Sequence, residues 1–231
     1  MNKCLTIITN DKQSLNALSL FFDSMRINSP HLYNQSWHVI YPKGFEIPNS
    51  IIDADGTGSI RCIPYVNIIP QDRYAMKFAI KDFLKNECCD EDIFLYMDTD
   101  HIFLNELELE KPKDKEIFFS SEKHTLSVKN HGAINHYNAS LIYGQTSSLK
   151  IIVDDWFTLY QELDDNEVGR FKEEVAMAIA ADRAGLCVNM VNSTVQSNFQ
   201  SFDCNCACFH YGGDYAMAKN IKKYLGVSDL F

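Results

Sequence analysis

Two carboxylates stand one residue apart at the end of an apolar run, in Asp92-Ile93-Phe94-Leu95-Tyr96-Met97-Asp98-Thr99-Asp100. Ile93 to Met97 has the length and continuous apolar character of a central strand buried on both faces. If extended backbone persists past Met97, Asp98 and Asp100 point to the same side, because side chains two apart share a face. At the carboxyl end of a parallel strand, where open α/β sheets bind ligands, such a pair offers hard oxygen donors. Mn²⁺ or Mg²⁺ suits those donors, and both ions also take phosphate oxygens. The alternative is that each Asp simply ends a strand. Cys204, Cys206 and Cys208 also alternate and in a strand would share one face. Without a fourth ligand or the usual two-residue spacing, they fit a half-buried Cys-rich strand better than a zinc site.

The elements that must carry these residues follow from the hydrophobic pattern. Leu5 to Ile8 forms a first strand, ending in the polar Thr9-Asn10-Asp11. Leu15, Leu18, Phe21, Phe22 and Met25 have helical spacing. Trp37 to Tyr41 and Arg61 to Val66 read as strands, separated by the turn-rich Asn49 to Gly58. The spacing predicts a helix over Arg73 to Lys85, with Arg73 and Lys77 one turn apart on one face. Ile117 to Ser120, Ala139 to Tyr143, Leu186 to Val191 and Cys206 to Tyr211 are further strands. Ile151 to Leu163 and Phe171 to Ala184 are helices, the second closed by Gly185. Strand and helix alternate without an internal repeat or a linker, which indicates an α/β fold with a mixed, mostly parallel sheet flanked by helices.

The 231 residues fit one domain. With 46% hydrophobic residues and only ten Gly and six Pro, the chain is neither disordered nor of low complexity. A net charge of −10 argues against non-specific nucleic-acid binding, which needs Lys and Arg to neutralise phosphates. An acidic protein that takes a diphosphate needs local positive charge, and a divalent cation supplies it. No run approaches the ~20 apolar residues of a membrane span, and the short apolar start reads as a strand, not a signal peptide. The eight Cys then read as thiols of a reducing cytoplasm.

Asp92 to Asp100 resembles the metal-binding Asp-X-Asp segment of GT-A-fold glycosyltransferases. Phe209-His210-Tyr211-Gly212-Gly213 resembles the late His-X-X-Gly segment whose His completes the metal site in several retaining families. The resemblance implies that residues 1–231 form a single GT-A-type, Rossmann-like domain. It further implies a glycosyltransferase using Mn²⁺ or Mg²⁺ and a nucleoside-diphosphate sugar, most simply UDP-linked, with a carbohydrate, lipid or protein acceptor. Asp98, Asp100 and His210 would hold the metal, and Asp98 would also face the ribose. Thr9 would lie near the nucleotide, and Lys77 with Arg73 would hold its phosphates. Glu174, or else Glu173, would face the acceptor or the reacting sugar, although Glu also favours the first turn of any helix. Asp154-Asp155-Trp156 offers an acceptor platform, with Trp156 more simply a core residue. Two places differ from the family pattern: Asn138-Ala139-Ser140 has Ser where many relatives have Gly, and Asp214-Tyr215 replaces a common Lys-Pro pair.

Two other functions compete. Ile51-Ile52-Asp53-Ala54-Asp55-Gly56-Thr57 resembles the nucleophile motif of haloacid-dehalogenase-like phosphatases, with Asp53 as nucleophile and Asp55 as acid/base. The short preceding strand, Gly58, and the missing Gly-Asp-X-X-X-Asp motif count against it, and an Asp/Gly turn explains the segment. A non-catalytic sugar-nucleotide binder is the third reading.

Overall fold

The computed structural model describes residues 2–9, 12–48, 60–67, 72–192, 195–198 and 205–212. The main sheet contains β1 (Asn2–Ile7), β2 (Ser36–Pro42), β3 (Ile60–Tyr65), β4 (Ile93–Met97), β6 (Glu116–Phe119), β9 (Leu141–Gln145) and β10 (Cys187–Met190). Its order is β10-β6-β9-β4-β1-β2-β3. Only β9 runs against its neighbours; β1–β2, β2–β3, β1–β4 and β6–β10 are parallel. The sheet is therefore mixed and mostly parallel; its parallel part is what the alternating elements lead one to expect.

Both faces are covered. Along β4, Phe94 and Tyr96 pack into one core, and Leu95 and Met97 into the other. Leu5 and Ile7 of β1 belong to the first core, Cys4 and Ile8 to the second. This alternation is what a strand buried on two sides requires. Helix α1 (Lys12–Asn28) places Leu18, Phe21, Phe22 and Met25 on the second face, where short α2 (Pro30–Tyr33) adds Leu32 and Tyr33. Helices α3 (Ala79–Glu87), α4 (Thr146–Glu162) and α6 (Lys172–Arg183) cover the first. Between the last two lies α5 (Asp165–Val168).

The expected helix from Arg73 begins differently. Arg73–Phe78 is a 3-10 helix and only Ala79 onward is α. In a 3-10 helix residues three apart align, which buries Ala75 and Phe78 together. Phe78 then meets the rings of Trp156, Phe157 and Tyr160 at 4.8–5.0 Å. Arg73 is described by its backbone alone.

Two smaller sheets stand beside the main one. β5 (His101–Phe103), β11 (Gln196–Asn198) and β12 (Cys208–His210) form a sheet of order β11-β12-β5. β7 (Lys123–Val128) and β8 (Gly132–Tyr137) form a hairpin against α6, with Asn130 at φ 66° in its turn. Cys206 precedes β12 instead of lying in it, so Cys206 and Cys208 do not form the expected alternating strand; both are free and buried. Cys204, Asp53 and Asp55 lie outside the described residues. Among the described residues no helix is long and apolar enough to cross a membrane.

Candidate metal and anion site

The parallel register Leu5↔Tyr96 brings the carboxyl ends of β1 and β4 to the same edge of the sheet. Thr9 stands at the end of β1, its Oγ1 2.5 Å from Ser14 Oγ. Just past β4, Asp98 is held by its backbone: its N–H donates to Ser140 O at 2.8 Å, and its carbonyl accepts from His101 Nδ1 at 2.8 Å. The Tyr96 hydroxyl donates to Asp98 Oδ1. The Asp98 and Asp100 side chains retain 27% and 23% exposure, enough to meet a ligand.

His210 arrives from more than a hundred residues away through strand pairing. β12 runs antiparallel to β5 with His210 opposite His101, and Tyr211 N–H donates to Asp100 O at 3.0 Å. His210 Nε2 thereby lies 3.3 Å from Asp100 Oδ1. One ligand atom each from Asp98, Asp100 and His210 lies within 4.8 Å of the others. Asp100 Oδ1 is buried without a well-formed hydrogen bond among the described residues. Two carboxylates and an imidazole with ligand atoms this close together fit a divalent cation of the Mn²⁺ or Mg²⁺ kind.

The charges are arranged accordingly. Burial pushes the Asp98 carboxyl up; Lys77 opposes that and Asp100 adds to it, leaving it above the ordinary value. Burial acts the same way on Asp100, but His210 overrides it and holds this carboxyl well below the usual range. His210 is depressed by burial and raised more strongly by Asp100 and Asp98, so it favours its charged form. Burial and the neighbouring His210 push His101 down to about 3. The positive charge of this group lies on His210 and Lys77, each raised by the carboxylates beside it.

Lys77 is nearly enclosed, with 12% of its side chain exposed. Its ammonium donates to Glu173 Oε1 at 2.6 Å, Ala139 O at 3.2 Å and Asp98 Oδ2 at 3.3 Å. Those three bonds use all three of its N–H groups. Burial would lower Lys77, but Asp98 and Glu173 prevail and raise it. Glu173 opens α6 and is 4% exposed, with Oε2 lacking a partner among the described residues. Glu174 turns to the hairpin, where its Oε2 meets His136 Nδ1 at 2.9 Å. Glu173, not the first-choice Glu174, joins the Lys77–Asp98 cluster. Asp154 pairs with Lys81 and Lys85, Asp155 with Arg183, and Trp156 is a core residue donating Nε1–H to Glu173 O.

Tyr96, His101, Ser140 and Gln196 belong to the surroundings of Asp98, yet the sequence reading gave them no role. His101 stands next to Asp100, and that adjacency was the one available signal. Gln196 has none, because its position depends on the small sheet.

No protein-family model matches the sequence, and no curated protein matches it. Among solved structures, the galactosyltransferase LgtC in complex with donor and acceptor sugar analogs matches with a TM-score of 0.64 at 15% identity, over 99% of this chain and 96% of that one. A structure of an active-site mutant of LgtC gives a TM-score of 0.64 at 14% identity with the same coverage. The shared architecture, including the mixed sheet and its flanking helices, is the GT-A fold.

Proposed function

We propose that the chain is a metal-dependent glycosyltransferase. It moves a sugar from a nucleoside-diphosphate sugar, UDP-linked, to a carbohydrate, lipid or protein acceptor. The observation that carries this reading is the Asp98–Asp100–His210 group at the carboxyl edge of β4. It gains weight from a fold shared over nearly the whole chain with an enzyme seen with donor and acceptor sugar analogs.

Asp98, Asp100 and His210 would hold Mn²⁺ or Mg²⁺. Bound there, the ion would offset the charge that develops on the departing diphosphate. Lys77 orients Asp98 and the Glu173 carboxylate. To reach a phosphate oxygen it must release one partner, and the 3.3 Å bond to Asp98 is its longest. Arg73 remains the second phosphate candidate, and Thr9 lies towards the nucleotide at the end of β1. Glu173 is the candidate for the sugar-facing role: it is bonded to Lys77, and its buried Oε2 has no hydrogen-bond partner among the described residues, so a sugar hydroxyl would reach it only after local opening. Glu174 is instead bonded to His136 of the hairpin.

UDP with Mn²⁺ should stabilise the protein far more than either alone, because each completes the other's coordination. Saturation near a hundredfold over Kd is worth about 3 kcal/mol, or roughly 5–10 °C in Tm for a chain of this size. A panel of nucleotide-sugars should then identify one that is turned over only with metal. Hydrolysis of p-nitrophenyl phosphate, lost in Asp53→Asn and without a UDP shift, would establish the phosphatase reading instead. A UDP shift with no turnover of any donor or acceptor would leave a binding protein.

A further inference from the structure

The environment of Asp98 contains a hydrogen-bond chain whose direction is fixed at every link. Ser121 N–H can only donate, and it lies 3.2 Å from Gln196 Oε1. That places the Gln196 amide nitrogen towards His101 Nε2, at 2.7 Å, and towards Ser140 Oγ, at 3.3 Å. The Asp98 carbonyl can only accept, so His101 Nδ1 carries the proton at the 2.8 Å contact. His101 Nε2 is then the bare nitrogen that receives the Gln196 N–H. Every donor faces an acceptor, and only one tautomer satisfies both ends.

The same network grips both polar groups of the Asp98 backbone. Its carbonyl is bound by His101, and its N–H by the carbonyl of Ser140, whose hydroxyl is bound by Gln196. His101 and Gln196 are 0% and 1% exposed, so no water competes. The other face of His101 supports His210: the two rings stack with centroids 4.9 Å apart and planes 23° apart.

We propose that His101 and Gln196 are positioning residues that pre-form the cation site. They fix the peptide that presents Asp98 and the plane of the His210 imidazole before any ion arrives. This rests on the metal-binding reading above. A site so held binds its ion without first ordering its ligands, and loss of such outer partners typically weakens metal affinity 10–100-fold.

The test measures Mn²⁺ binding without nucleotide, by electron paramagnetic resonance, in wild type, Asp100→Ala, Gln196→Leu, His101→Phe and His101→Asn. The visible spectrum of bound Co²⁺ and the folded fraction by circular dichroism are recorded for each. Phe keeps the stacked ring but neither hydrogen bond; Asn keeps a donor near the place of Nδ1. Gln196→Leu and His101→Phe should bind Mn²⁺ about 10–100-fold more weakly and shift the Co²⁺ bands while remaining folded. His101→Asn should recover part of the lost affinity. Wild-type affinity and spectrum in both Gln196→Leu and His101→Phe, with Asp100→Ala impaired, would overturn the positioning role alone. A loss no larger than the loss of folded protein would overturn it too. Failure of wild type to bind Mn²⁺ would instead overturn the metal reading beneath it.

Discussion

Glu173 meets Lys77 at 2.6 Å, yet its surroundings favour the neutral acid, because burial outweighs the neighbouring ammonium and pushes it up to about 7. A carboxyl raised in the fold contributes stability below its unfolded value, here 4.5, and loses that contribution as pH rises through about 7. The shift corresponds to roughly 3 kcal/mol at most. Urea unfolding of the chelated protein at pH 5 and pH 8 should therefore show Glu173→Gln gaining on wild type at the higher pH. An equal difference at both pH values would refute it. Lys77 presents the reverse case: at pH 8, where Glu173 is ionised, Lys77→Met leaves Glu173 and Asp98 without their shared cation and should cost about 3 kcal/mol or more, since breaking a buried pair strands a charge. Retention of the wild-type denaturation midpoint in Lys77→Met would count against that. At this scale the Asp98–Asp100 pair was legible because a buried strand ends directly in it. His210 was legible only by resemblance, since its nearness to Asp100 depends on the β12–β5 register. Which of Glu173 and Glu174 meets Lys77 was not legible, because a helix's first turn does not disclose its rotation about its own axis. His136 captures the one and Lys77 the other.

Gly185 shows how well an element end can be read from sequence. It sits at φ 66° just past α6, with Gly185 N–H on Asp182 O at 2.9 Å and Leu186 N–H on Ala181 O at 3.0 Å. These are the two bonds of a Schellman motif, which glycine favours because it lacks a Cβ. The β7–β8 hairpin was not read, although Leu126 and Val128 alternate with polar residues. Lys, His, Thr, Ser and Asn dilute it below an apolar run, and it gains its order from packing on α6. Nor does composition disclose that β9 runs against the other strands. There Gly144 has a close neighbour: a Cβ would lie 3.1 Å from Ile117 Cγ2 and 3.2 Å from Glu116 O of the adjoining strand. Gly144→Val should cost about 1–3 kcal/mol by overpacking. Its midpoint should fall in thermal or urea unfolding, and wild-type stability would show that β6 and β9 can separate at no expense.

Across the molecule, the packed cores and the Asp98–Asp100–His210 group occupy different places. The two cores lie on opposite faces of the main sheet, whereas Asp98, Asp100 and His210 stand at its rim. A strong chelator should therefore abolish activity reversibly and leave the unfolding midpoint of the nucleotide-free protein nearly unchanged. Unfolding on chelation, with release of stoichiometric zinc, would make the metal structural and return attention to the cysteines. The layered α/β plan was legible from the alternation of elements. The small β11-β12-β5 sheet was not, because strands of three residues carry too little pattern to stand out. That sheet has a further consequence in the order of manufacture. All seven strands of the main sheet have been synthesised by residue 190, while His210 completes the Asp98–Asp100–His210 group only at residue 210. A nascent chain leaving the ribosome thus has every strand of the main sheet in hand before the last member of that group has been made.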